Sequence, residues 1–64
     1  MYKLEVVPHQ SGSFRYSVCY CPNDNLEIEV SSGFRSSEAQ AHRDGAEELK
    51  FAKLFNLGKE YSRE

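Results

Sequence analysis

Two rhythms divide the chain. Residues 2–31 alternate between apolar and polar, the period of a half-buried strand, while residues 37 to about 57 repeat at helical spacing. Tyr2, Leu4 and Val6 alternate with Lys3, Glu5 and Val7 in a first strand that Pro8 ends by removing a backbone donor. The run His9-Gln10-Ser11-Gly12-Ser13 then has turn chemistry. Phe14, Tyr16, Val18 and Tyr20 alternate with Arg15, Ser17, Cys19 and Cys21. One whole face of this second strand is thus aromatic or β-branched. Pro22-Asn23-Asp24-Asn25 makes the next turn, and Leu26, Ile28 and Val30 alternate with Glu27 and Glu29 in a third strand. Ser31-Ser32-Gly33 is expected to break it, with Phe34 plugging the sheet edge. Connections this short favour an antiparallel meander.

Ser37 followed by Gln40 fits a capping box, and Glu38 suits the positive end of the helix dipole. At about 100° per residue, Ala39, Ala41, His42, Gly45, Ala46, Leu49 and Ala52 share one arc. Most are small, which lets a helix lie close on a sheet, with Gly45 expected against Tyr16 or Tyr20. The fold class is therefore α+β: a three-stranded antiparallel β-meander packed on one C-terminal α-helix, in the order β-β-β-α. Residues 1–58 form a single domain and 59–64 a polar tail. The expected core is Tyr2, Leu4, Val6, Phe14, Tyr16, Val18, Tyr20, Leu26, Ile28, Val30, Phe34, Ala39, Ala46, Leu49 and Ala52.

Phe51, Leu54 and Phe55 fall outside the apolar arc. Three arrangements accommodate them. In one, the helix ends or bends near Lys50–Lys53, resetting the phase so that they fold back on the core, with Gly58 as a left-handed cap. If it runs straight, they form an exposed patch that binds a second copy, or one that binds another protein. The partner-binding candidates are accordingly Phe51, Leu54 and Phe55. The function they point to is a small non-enzymatic protein-interaction module, self-associating through the helix end or a sheet edge.

Size makes an association of this kind useful. In 64 residues a core rarely supplies more than ~3–5 kcal/mol. A hydrophobic fraction of 39% and a charged fraction of 28% suit a globular domain. Eight basic and ten acidic residues give a net charge of −2, with no general attraction to nucleic acid or anionic lipid. No apolar run approaches the ~18 residues of a membrane helix, and the segment MYKLEVV lacks signal-peptide character, so the expected location is the cytoplasm.

No cofactor, metal or small-molecule ligand is expected. Cys19 and Cys21 lie on one strand face roughly 6.6 Å apart along the chain, whereas disulfide Cβ atoms approach to about 4 Å. They read as free thiols. Together with His9 and His42 they are the nominal zinc ligands, but the spacing is C-x-C, and both cysteines should face away from the helix that carries His42. His9 reads as a loop residue and His42 as a partly buried helix residue. A cysteine nucleophile would need a base and an oxyanion hole, and no His stands near with a third partner. Glu27 and Glu29 read as solvated strand charges, and the four glycines are isolated rather than gathered into a phosphate loop. The chain is not expected to be an enzyme.

The alternative function is nucleic-acid binding. Three strands and a helix, with Gly33-Phe34 and Ser37-Glu38-Ala39 at the join, resemble the arm-type domain at the start of many phage integrases. They also resemble the partial double-stranded-RNA-binding fold of small antitoxins. The resemblance implies a nucleic-acid-binding domain of the three-strand-plus-helix type and carries over no functional residue. Against it stands the charge of the open sheet face, where Lys3 and Arg15 meet Glu5, Glu27 and Glu29. A second basic set, Arg35, Arg43, Lys50 and Lys53, is interspersed with Glu38, Asp44, Glu47 and Glu48.

Overall fold

In a computed structural model that describes residues 1–59, three antiparallel strands form one open sheet, followed by a C-terminal helix. The elements are β1 (Tyr2–Pro8), β2 (Phe14–Asn23), β3 (Leu26–Arg35) and α1 (Glu38–Phe55). The strand order is β1-β2-β3, so the aromatic-rich strand is central. The polar tail expected over 59–64 lies, beyond Lys59, outside the described residues.

The turns follow their residues. Gly12 takes φ +81° between β1 and β2, and the Asn23 side chain accepts from the Asn25 amide (2.9 Å) between β2 and β3. At the helix start, Ser37 Oγ accepts from the Gln40 amide (3.2 Å). Gln40 does not complete the capping box. Its Oε1 instead accepts from Ser36 Oγ (3.4 Å).

Val18 and Tyr16 of β2 are buried under Ala41, Gly45 and Ala52 of the helix. Gly45 lies where expected, against Tyr16. A Cβ there would stand 3.2 Å from Tyr16 Cβ and 2.7 Å from Leu4 Cδ1. The buried line of the helix runs Ala41–Gly45–Ala52, so Ala39 and Ala46, assigned to the core from the sequence, are exposed. His42, expected to be partly buried, is also exposed.

The largest departure lies in β3. Ser31-Ser32-Gly33 does not break the strand, which continues to Arg35. Val18 pairs with Ser31 while Cys19 pairs with Glu29, so β3 carries one extra residue at Val30. Val30 and Ser31 both turn toward the helix: Ser31 Oγ donates to Glu48 (2.9 Å), and Val30 stands against Gly58. Side chains beyond the bulge therefore change face. Phe34 pairs with Arg15 on the open face and is 51% exposed instead of plugging an edge. Arg35 turns to the helix side, where Nε donates to Asp44 Oδ2 (2.6 Å) and the guanidinium lies 5.3 Å from the Tyr16 ring centre. Leu26, at the start of the edge strand, is 42% exposed rather than in the core.

Candidate interaction surface

The helix runs unbroken to Phe55, so the fold-back arrangement is not the one adopted. It stops because Asn56 takes the left-handed conformation (φ 55°), and the Leu57 amide donates back to Ala52 O (3.0 Å). Gly58 also has positive φ, two residues further on, where it is buried against Val30 and Tyr20. With the phase maintained, Phe51, Leu54 and Phe55 are 47%, 66% and 63% exposed.

Their placement follows from helical spacing. Asp44, Glu48, Phe51 and Phe55 succeed one another at four, three and four residues and share one flank. The first two reach β3, through Arg35 and Ser31. The Phe51 and Phe55 rings continue that flank, stacked with centres 6.1 Å apart and planes at 8°. Leu54 lies about 100° further round the helix from Phe55, toward solvent. Three large apolar side chains thus occupy adjoining positions at the helix end.

The open face of the sheet is occupied differently. Lys3 on one edge strand donates to Glu27 on the other (2.5 Å), so this ion pair crosses the central strand. Arg15 donates to Glu29 (2.8 Å). These side chains roof Ser17 and Cys19, which is why Cys19 is only 6% exposed on a face expected to be open. The roof also shifts its members' titration. The hydrogen bond from Arg15 leads in holding the Glu29 carboxyl below the ordinary carboxylate range, and that to Glu27 leads in raising Lys3. At one end of this face Phe34 meets His9 edge-on, ring centres 4.9 Å apart. Val7, in the same rung as Arg15 and Phe34, is 49% exposed. This second apolar spot was not expected, because its position depends on the bulge.

Cys19 and Cys21 are free thiols. His42 stands on the helix near Glu38 (3.8 Å), and His9 lies in the first turn, so the four nominal zinc ligands are not brought together. Among the described residues, no three His, Cys, Asp or Glu side chains are grouped to hold a metal ion. Of the second basic set, Arg35 is paired with Asp44, and Arg43 approaches the same carboxylate (3.8 Å). No helix among the described residues is long and apolar enough to cross a membrane.

No protein-family model, curated protein or solved structure matches the chain.

Proposed function

We propose that the chain is a small, non-enzymatic protein-interaction module of the cytoplasm that associates with itself or with a protein partner, and that Phe51, Leu54 and Phe55 form its contact surface. The observation that supports this is the exposed Phe51–Phe55 stack beside Leu54 at the end of a capped helix. Burying a Phe or Leu side chain contributes ~1.5–3 kcal/mol, and aromatic side chains are enriched among residues that dominate binding. The nucleic-acid alternative has less behind it, because Lys3 and Arg15 on the sheet face are each engaged by a carboxylate.

A photo-reactive benzophenone at Leu54 tests the surface. Irradiation in an extract of the cells that express the protein yields a discrete adduct, whose mass shows whether it is a second copy or another protein. Phe55→Asp in the same chain removes the adduct while the far-UV circular dichroism is unchanged. Failure to form any adduct, or an adduct indifferent to Phe55→Asp, rules the surface out.

A further inference from the structure

The open sheet leaves β1 and β3 as edges, and they differ in what a second copy would meet. In the β1–β2 ladder the Met1 amine donates to Cys21 O (3.2 Å) and the Cys21 amide to Met1 O (2.6 Å). Met1 and Cys21 are therefore a hydrogen-bonded pair. Antiparallel pairs alternate, so Lys3–Cys19 and Glu5–Ser17 are hydrogen-bonded as well. Leu4 and Val6 then turn their N–H and C=O groups outward, along the edge.

We infer that this edge pairs with its own copy about a twofold axis at Leu4, joining two sheets into one of six strands. An antiparallel partner centred there makes Leu4 and the partner's Leu4 a hydrogen-bonded pair. The flanking non-hydrogen-bonded pairs are Lys3 with Glu5 of the partner subunit, and Glu5 with the partner subunit's Lys3. Side chains in such pairs stand closest, with Cα atoms about 4.5 Å apart, so the strand is complementary in charge to itself at two places. Both side chains are accessible, at 37% and 55%, and within one chain Glu5 already lies 3.5 Å from the Lys3 ammonium that also donates to Glu27, so the partner's Glu5 joins an ion cluster that is present in each copy.

The β3 edge has the opposite character. Pairing it with itself about Ile28 would set Glu27 against Glu29 twice, and the bulge at Val30 interrupts its ladder. The helix stripe bearing Phe51 and Phe55 follows the β3 side, so a β1 dimer leaves that surface open. The inference rests on the reading of the chain as an interaction module but uses a different surface, so the two can fail separately.

Sedimentation equilibrium of the purified chain in reducing buffer, from micromolar to millimolar, tests it. The wild type sediments as a dimer at the upper end. Glu5→Lys opposes two lysines and Lys3→Glu two glutamates, and each variant alone self-associates about tenfold or more weakly. Mixed in equal amounts they restore opposite charges in both pairs and dimerise as hetero-pairs. Circular dichroism of the mixture and of each variant confirms that the chains are folded, and Glu47→Lys, the same charge change on the helix surface, leaves the dimer intact. A wild type that stays monomeric to millimolar concentration overturns the inference. So do Glu5→Lys dimers as tight as the wild type, or a mixture that does not recover. Dissociation by Phe55→Asp but not by Glu5→Lys overturns it too and assigns self-association to the helix end.

Discussion

Gly12 and Gly58 share a left-handed backbone, with φ +81° and +88°, but differ in what surrounds them. A Cβ on Gly12 would meet nothing within 4 Å. One on Gly58 would stand 2.8 Å from Val30 Cγ1 and 2.9 Å from Tyr20 Cβ, whereas carbon atoms rest at about 3.5–4.0 Å. Alanine at either position therefore incurs the same left-handed penalty, ~1–2 kcal/mol. Gly58→Ala adds the cost of overpacking, ~1–3 kcal/mol. The Val30 methyl can swing aside, but Tyr20 Cβ is fixed to the central strand, so relief must come from moving the chain after the helix. Urea unfolding followed by circular dichroism separates the two contributions. With an m-value of about 1 kcal/mol/M, the low end for small proteins, the Gly58→Ala midpoint falls about 1–3 M further than that of Gly12→Ala. Against a total of ~3–5 kcal/mol for a core this small, Gly58→Ala brings the chain close to its unfolding threshold. Equal midpoints for the two variants would refute the argument, since the helix end would then not be seated on Tyr20 and Val30.

Three further outcomes follow from the local geometry. Ser37→Ala removes the oxygen that accepts from the Gln40 amide and lowers stability by ~1 kcal/mol, whereas Gln40→Ala, which leaves that bond in place, costs less in the same urea titration. Because Arg15 depresses the Glu29 pKa, that pair's contribution is present above the unfolded glutamate pKa and disappears as pH falls through the lower folded value. The gap between wild type and Glu29→Gln, within the ~0.2–1 kcal/mol of exposed pairs, is therefore seen at neutral pH and shrinks as the pH falls below the ordinary glutamate range; a gap that widens in acid contradicts the assignment. Iodoacetamide followed by peptide mass spectrometry labels half-buried Cys21 before buried Cys19; equal rates would mean that the ion pairs do not roof the sheet.

The fold was legible because its elements are long relative to their punctuation. β2 alternates without interruption from Phe14 to Tyr20, and Ser37 marks the helix start where the structure places it. The approach of Gly45 to Tyr16 was also legible, since small residues at helical spacing beside an aromatic strand leave few other arrangements. The bulge was not. Alternation supplies no sign of one extra residue in a strand, so Ser31-Ser32-Gly33 read as a break and Phe34 was assigned to the wrong surroundings. The burial of Cys19 was hidden for a related reason: its cover consists of charged side chains arching from neighbouring strands, and a one-strand pattern does not include them. For Phe51, Leu54 and Phe55 the sequence showed the conflict of phase but not its outcome. That depended on whether the helix continued, which the left-handed Asn56 determines one residue beyond the patch.

The bulge also makes β3 unequally sensitive to changes of length. Loss of one residue from a regular strand reverses the face of everything beyond it. Loss of Ser31 would instead heal the irregularity: Val30, Ser32, Gly33, Phe34 and Arg35 would all keep the sides they now have, at the cost of the hydrogen bond to Glu48. A one-codon deletion at Ser31 is thus survivable, with Arg35 still meeting Asp44.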